Sequence, residues 1–302
     1  MRAALAPAVP LARLALLRPV LYLFVLYDMA FLVNDVVPHG YVPEDLYKPL
    51  LLRRLLDLPV PAPAYVHALQ AVLVVGCLVA AAGRLPRLAG LVVAVGFLDW
   101  VSIGMSYGKI DHDHFALVVA LFAMATVGRA STRDTARSEA AGWALLAVQV
   151  ACVATYFLSA WAKMRFGGWG WANGAVFAWA MTRRGTMLGD LLLEPPWLLR
   201  AGQWTVLAAE LLSPVLLVLR GRARLAVVLF FVLFHAATWA TIEIHFLPLV
   251  VCLLAFVPLE LLLPARRRAA LAAAGALEGD GDGQDDGHDD GHDDAPRVRV
   301  RA

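Results

Sequence analysis

The sequence predicts an all-α integral membrane protein, a polytopic bundle of about eight transmembrane helices. Two observations predict this class. Hydrophobic residues make up 61% of the 302 residues, and the mean hydropathy of +0.68 lies outside the range of soluble globular proteins. Apolar runs long enough to cross a hydrocarbon core of roughly 30 Å as a helix also recur between short arginine-bearing links.

Eight apolar runs follow one another along the chain. The first could be a cleaved signal sequence, but Asp28 inside it and Asn34-Asp35 after it indicate a retained helix. Cys77, Cys152 and Cys252 fall within apolar runs and predict no disulfide framework. The predicted spans are 15–34, 64–82, 86–104, 114–128, 141–163, 197–219, 225–244 and 246–263.

Basic residues are distributed unequally between alternate links. With the N-terminus inside the cell, the inner segments carry fourteen arginines, and the outer segments carry seven arginines and lysines. Because such residues accumulate on the cytoplasmic side of a membrane, we expect a multi-pass protein of the cell membrane with both termini in the cytoplasm. The expected partner is the lipid bilayer, and no nucleic acid is expected.

Two links are too long to be simple turns. The outer link 35–63 contains leucines and arginines spaced as in a short amphipathic helix at the interface, although a loop packed on the bundle fits equally well. The apolar piece 169–181, between glycines, is too short to span the membrane comfortably. It predicts an interfacial or re-entrant segment in the outer leaflet.

The composition divides the chain into residues 1–265, the transmembrane domain, and residues 266–302, a disordered acidic cytoplasmic tail. Residues 278–294 contain nine acidic residues in a Gly-Asp-His pattern. A segment with almost no apolar residues cannot form a core, so we expect it to be disordered.

Most ionisable residues of the apolar runs lie towards the outer side. Buried charges in a membrane indicate a functional site by default. Glu210 and His235 lie near mid-depth and suit either a structural polar contact or a proton relay. The run 111–114, Asp-His-Asp-His, lacks a third ligand cluster at defined spacing, so no metal site is predicted. The outer residues are Asp28, Asp99, His112, His114, Lys163, Glu243 and His245.

Lys163 ends the fifth span, and only three of the 26 basic residues are lysines. A lysine can lose its proton at accessible pH, whereas an arginine in practice cannot. Among Phe157, Trp161 and Phe166, a desolvated amine would meet the condition for a general base. The alternative is a lysine that anchors a helix end at the interface.

Three blocks of the sequence match a known pattern. They are Tyr156-Phe-Leu-Ser-Ala-Trp-Ala-Lys163 followed by Gly168-Trp-Gly-Trp-Ala-Asn-Gly174, then His112-Asp-His-Phe-Ala-Leu117, then Glu210-Leu-Leu-Ser-Pro-Val-Leu-Leu217 with His235 and Phe246. On these blocks the chain resembles the HTTM (horizontally transferred transmembrane) domain family, which includes vitamin K-dependent gamma-carboxylase. Ser159-Ala160 stands where the family usually has Ala-Gly. We expect no counterpart of the large lumenal domain of the carboxylase.

The resemblance implies a function. Lys163 would deprotonate vitamin K hydroquinone or reduced menaquinone, assisted by His112 or His114, of which the spacing to Leu117 favours His114. Oxygenation of the quinol by O2 would then drive proton removal from a glutamate and addition of CO2. The resemblance also implies a partner: the glutamate would belong to a separate protein that serves as the substrate.

The predicted catalytic residues are therefore Lys163, His114 and His112. Two other classes of protein remain as alternatives: a non-catalytic module that binds a lipid or quinone or scaffolds a partner, and a transporter. The transporter is disfavoured because the chain shows no internal repeat. The predicted quinone pocket comprises Asp99, Trp100, Trp161, Trp169, Trp171, Glu210 and His235.

Overall fold

The computed structural model describes residues 7–108 and 110–277, and this part of the chain is almost entirely helical. It contains one short antiparallel ladder of β1 (Val9–Pro10) and β2 (Arg137–Ser138). The helices are α1 (Leu11–Phe31), α2 (Val36–His39), α3 (Leu51–Leu55), α4 (Pro63–Ala81), α5 (Pro86–Gly104), α6 (His114–Thr126), α7 (Glu139–Gly167), α8 (Ala175–Arg184), α9 (Met187–Leu193), α10 (Pro196–Leu212), α11 (Gly221–Ile242), α12 (Leu247–Cys252) and α13 (Ala265–Ala273).

Five of these helices, α1, α4, α5, α7 and α11, are long and apolar enough to cross a membrane. The prediction of an all-α protein with several such helices is confirmed at this level. The other three predicted spans are shorter or interrupted helices. Helix α6 has 13 residues, and α10 passes into a 3₁₀ turn, Ser213–Leu217, that contains Pro214. Helix α12 continues as 3₁₀ turns on either side of Pro258.

The helix ends meet at two opposite ends of the bundle. At one end, called here the Arg13 end, Val9 in front of α1 pairs with Ser138 in front of α7. Arg13 makes a buried bidentate ion pair with Glu260, with nitrogen to oxygen distances of 2.8 and 2.6 Å. The starts of α1 and α7 therefore lie beside the segment that follows α12.

Arg18 closes another junction at the Arg13 end. Its guanidinium donates to the carbonyls of Met124, Val127 and Gly128, where α6 ends. Carbonyls at a helix C-terminus have no partner within the helix, and a cation there also complements the helix dipole. This buried arginine thus fixes α1 against the end of α6.

The opposite end is called here the Lys163 end. There the last turns of α1 meet the start of α6 through Asp28 and His114, and the last turns of α7 meet α10 through Lys163 and Glu210. Alternating helix directions bring most ionisable residues of the apolar segments to this end. The expectation that Asp28, His112, His114 and Lys163 share one end of the molecule agrees with this arrangement.

The link segments differ from the expectations in detail. In the link 35–63 the amphipathic pattern forms only five residues of helix, α3, because prolines flank it on both sides. The apolar piece 169–181 divides at Gly174, where φ is +96°, into the 3₁₀ turn Trp169–Ala172 and the start of α8. The tail that was predicted to be disordered from residue 266 instead begins with α13, whose Leu271 is buried against Ala12, and residues 278–302 lie outside the described part.

Candidate functional site

The centre of the candidate site is an ion pair between α7 and α10. The Nζ of Lys163 lies 2.5 Å from each carboxylate oxygen of Glu210, and the side chains are 22% and 7% exposed. The same amine lies 5.1 Å from the centre of the Trp171 ring, within the range of a cation–π contact. The lysine is therefore half enclosed, with an acid on one side and an aromatic face on another.

The turn that carries Trp171 is held over the lysine by Gln203. The Gln203 side chain accepts a hydrogen bond from the backbone N–H of Gly174 and donates one, at 2.9 Å, to the carbonyl of Trp171. Gln203 and Glu210 are seven residues apart on α10 and so share one face. One face of α10 thus positions both the aromatic turn and the acid.

A second polar pair lies deeper along the same face of α7. Tyr156, seven residues before Lys163, has its hydroxyl 2.8 Å from Nε2 of His235 on α11. Phe246 lies against the imidazole, with ring centres 5.0 Å apart. The Nδ1 atom of His235 is buried and has no hydrogen-bond partner within residues 7–108 and 110–277. This buried nitrogen is therefore an unsatisfied polar atom between α7 and α11.

His112 and His114 point to different surroundings. His112 is exposed, lies 6.0 Å from Phe246 by ring centres, and interacts electrostatically with Glu210. His114 is 4% exposed, with Nε2 at 3.0 Å from Asp28 and Nδ1 at 3.3 Å from Asp113. Of the two histidines, only His112 interacts with the acid of the lysine pair, and it does so electrostatically, whereas His114 is held between two buried carboxylates.

Within the described residues, no group of three or more histidine, cysteine, aspartate or glutamate side chains is arranged to hold a metal ion. Asp28, His114 and Asp113 form a chain of contacts in which each ring nitrogen faces its own carboxylate. A metal site requires the ligand atoms to converge on one point. These three side chains are instead suited to holding a proton between them or to fixing the imidazole ring of His114.

Asp99 and Trp100 take part in a separate network. Asp99 accepts hydrogen bonds from Arg53 and Tyr65, and Arg53 is only 1% exposed. Trp100 is fully buried and donates from Nε1 to the carbonyl of Val33 at 2.9 Å. The Asp99 contacts fasten α3 and α4 to α5, and the Trp100 contact fastens α5 to the segment that follows α1. None of them reaches Lys163.

Nearby, the Tyr47 hydroxyl is 2.8 Å from the Ser106 hydroxyl, and burial raises the pKa of this tyrosine. The two residues join the outer link to the segment that follows α5. This contact fixes the outer link against the bundle and does not involve Lys163.

The predicted tryptophans also separate. Trp171 covers Lys163, whereas Trp161 is 51% exposed and Trp169 is 67% exposed. Trp169 stacks on Trp204 with ring centres 6.1 Å apart. Exposed tryptophans at a bundle end are typical of the membrane–water interface. Of these three residues, Trp171 alone contacts the lysine within the described part of the chain.

An apolar groove of about 390 Å³ opens between α1, α11 and α12. We call it the α11–α12 groove. Val232, three residues before His235, and Leu247, directly after Phe246, both line it. The remaining lining residues are Phe24, Val228, Val250, Val251, Leu253 and Leu254.

The sequence reasoning did not assign Gln203 to the site and did not pair Tyr156 with His235. One signal was present for each. Tyr156 precedes Lys163, and Gln203 precedes Glu210, by the seven-residue spacing that places two side chains on one helix face. The spacing shows which side chains share a helix face. It does not show which other helix that face contacts, because that depends on how distant parts of the sequence pack together.

Comparison with known proteins found no matching family model, no similar curated protein and no similar solved structure. The resemblance to the HTTM domain family therefore stays a prediction that rests on the three sequence blocks.

Proposed function

We propose that this protein is a quinol-dependent membrane enzyme of the HTTM type. In this proposal Lys163 takes a proton from the hydroxyl of a reduced menaquinone or vitamin K hydroquinone, and oxidation of the quinol is coupled to carboxylation or to another reaction. The observation that carries the proposal is the Lys163–Glu210 pair, a half-enclosed amine with both oxygens of one carboxylate at 2.5 Å.

The pair gives the amine a route to its basic form. Two opposite charges at this separation are close to neutral overall, so they can stay in a medium of low dielectric constant together. Transfer of one proton from Nζ to Glu210 yields a neutral amine and a neutral carboxylic acid without separating charge. The free amine then accepts a proton from a bound hydroxyl, which an arginine at this position could not do.

The surroundings fit an aromatic ligand with an apolar tail. The Trp171 face lies beside the amine, and the exposed His112 interacts electrostatically with Glu210. The buried Nδ1 of His235 has no hydrogen-bond partner among the described residues, so a ligand oxygen that reached it would satisfy it. The α11–α12 groove has an apolar lining suited to an isoprenoid tail. When bound, the hydroquinone would supply two electrons to O2, and by resemblance this oxidation would drive CO2 addition.

The orientation and the number of crossings belong to the same proposal. We place the Lys163 end in the outer leaflet and both termini in the cytoplasm, with α6, α10 and α12 completing eight crossings. The arginines Arg13, Arg18 and Arg137 at the opposite end support this orientation, because basic residues accumulate on the cytoplasmic side.

One observation favours a second candidate, a non-catalytic membrane module. Lys163 is already satisfied by both oxygens of Glu210 and by Trp171, as a structural pair would be. Such a module would bind a quinone or lipid in the α11–α12 groove or would scaffold a partner protein. It would not turn over its ligand.

The two candidates are distinguished by quinol oxidation in lipid nanodiscs. The purified protein is given a reduced naphthoquinone with an isoprenoid tail and O2, and oxidation is followed by absorbance and oxygen consumption. We expect turnover by the wild type and by Lys48→Ala, which removes an exposed lysine at a distance. Lys163→Ala and Lys163→Arg should both lose quinol turnover, because neither variant has an amine at this position that can become neutral.

Turnover that is unchanged in both Lys163 variants would overturn the enzyme proposal. Wild-type protein that binds the oxidised naphthoquinone, seen as quenching of tryptophan fluorescence, but never oxidises the quinol would favour the module.

A further inference from the structure

A cavity of about 450 Å³ lies at the Arg13 end, outside the candidate site. We call it the Arg129 cavity. It is bounded by one turn of α1, by the junction of α4 and α5, and by the link between α6 and α7. The lining residues are Ala15, Ala81, Ala82, Gly83, Arg129, Ala130, Ser131, Thr132 and Asp134.

Small residues create the space. Ala15 on α1 and Ala81 and Ala82 at the end of α4 present only methyl groups, and Gly83 turns the chain at a φ of +70° with nothing near its missing Cβ. Larger side chains at the same positions would fill the cavity. The wall on this side is apolar.

The opposite wall is polar and is held by its own hydrogen bonds. The backbone N–H of Ser131 donates to Asp134 Oδ2 at 2.7 Å, and the N–H of Arg133 donates to the Ser131 hydroxyl at 3.2 Å. The carboxylate of Asp134 is thus engaged within the loop. Arg129, in contrast, is exposed and has no hydrogen-bond or ion-pair partner among residues 7–108 and 110–277.

The charge around the cavity is positive. Arg84 and Arg133 adjoin lining residues in the chain, and the guanidinium of Arg87 lies 3.8 Å from where a Cβ on Gly128 would be. Arg129 and Asp134 line the cavity itself, and the other three arginines belong to the segments that form or border it. Basic pockets between helices near a membrane surface suit anionic lipid headgroups, since guanidinium binds phosphate with paired hydrogen bonds.

An exposed apolar stripe leads along α4 into the cavity. Leu78 and Val75 precede Ala82 by four and seven residues, so all three share one face of the helix. Leu78 is 52% exposed and Val75 is 61% exposed, and only 22% of the most apolar window of α4 is buried. In a membrane this stripe faces acyl chains, so a lipid that lies along it has its headgroup at the cavity.

We propose that the Arg129 cavity binds the headgroup of an anionic glycerophospholipid, with the phosphate at Arg129 and the hydroxyls of Ser131 and Thr132, and with an acyl chain along the α4 stripe. The site is independent of the quinol proposal, because it shares no residue with the Lys163 end. The membrane lipid is the occupant, since the apolar stripe continues directly from the cavity.

The test is lipid retention measured by native mass spectrometry. Purified full-length protein is equilibrated with phosphatidylglycerol and phosphatidylcholine of the same acyl chains, and bound lipids are counted. We expect selective retention of phosphatidylglycerol and about a fivefold weaker retention in Arg129→Gln, which corresponds to roughly 1 kcal/mol per arginine near a membrane surface. Arg222→Gln, an exposed arginine at the start of α11, is the matched control and should retain it unchanged.

A second variant tests the cavity and not the charge. Ala82 is exposed at the end of α4, so the Ala82→Leu variant should keep its fold while the larger side chain fills the cavity. Retention of phosphatidylglycerol should then fall as in Arg129→Gln. Equal retention by the wild type, Arg129→Gln and Ala82→Leu would overturn the proposal. Displacement of phosphatidylglycerol by millimolar glycerol phosphate would also overturn it, because the site would then take a free phosphate ester.

Discussion

Lys163 and Glu210 close the contact between α7 and α10, with the lysine Nζ at 2.5 Å from both carboxylate oxygens although 47 residues separate them in the chain. The pair lies at the same end of the bundle as the buried contact of Asp28 with His114. Two separate acid–base contacts thus lie at the Lys163 end, one between α7 and α10 and one between α1 and α6. Their independence allows each to be tested by itself.

Replacing Glu210 with glutamine should destabilise the protein, because Lys163 would remain charged without its carboxylate. A fully buried pair loses about 3–5 kcal/mol when one partner is removed. Since Lys163 is 22% exposed, we expect about 1–2 kcal/mol. The measurement is equilibrium unfolding in mixed micelles. The double variant Lys163→Met with Glu210→Gln should recover most of the loss, and losses that simply add would contradict the pairing.

His114→Ala should be far more damaging than His112→Ala. The first change leaves the carboxylate of Asp28, which is 0% exposed, without its imidazole partner, and we expect a loss of about 2–4 kcal/mol. His112 is exposed, so its removal should cost less than about 0.5 kcal/mol. Unfolding of the two variants in parallel checks the difference, and equal losses would show that the Asp28 contact contributes little.

Gly90→Ala should weaken the packing of three helices. A Cβ at this position of α5 would lie 2.8 Å from the Tyr22 hydroxyl of α1 and 3.2 Å from the Cα of Ala125 in α6. Backbone cannot yield as a flexible side chain does, so overpacking should cost about 1–3 kcal/mol. Gly170→Ala, where a Cβ meets nothing within 4 Å, is the control. A thermal midpoint of Gly90→Ala equal to that of the control would be inconsistent with this close approach.

The two ends of the bundle should differ in accessibility from outside the cell. Single cysteines at the exposed positions Ser131 and Gly185 are treated with a membrane-impermeant maleimide on intact cells. The native cysteines Cys77, Cys152 and Cys252 are fully buried and should not react. We expect labelling of Gly185→Cys at once and of Ser131→Cys only after permeabilisation. The reverse result would place the Lys163 end in the cytoplasm.

Local features of the sequence predicted much of the helix pattern. The predicted span 86–104 coincides with α5, and Pro86 occupies its first position, where the missing N–H has no helical partner to lose. The start of α6 at His114 was also predicted. The 3₁₀ segments after α10 and α12 were not, because an apolar run does not show by itself whether a proline within it will divide the helix.

Some of the predicted site residues lie close together in the structure, and others do not. The sequence placed Lys163, His112 and Glu210 among the candidates; the structure pairs Lys163 with Glu210, and His112 interacts with Glu210 electrostatically. It places Asp99 with Arg53, 46 residues earlier, and His114 with Asp28, 86 residues earlier. Nothing in the local pattern around Asp99 distinguishes an aspartate that faces a pocket from one that fastens a link helix.

The sequence by itself determined that the chain is helical and apolar, that its ionisable residues gather towards the ends of its helices, and that Lys163 ends one of them. These properties depend on residue type and on short spacings, which act within a few turns of one helix. Only the tertiary structure decided that Glu210 receives the lysine, that Tyr156 meets His235 and that Asp28 holds His114. The partner of a buried polar group depends on which helices are neighbours and on their relative register, and this is set by packing over the whole bundle.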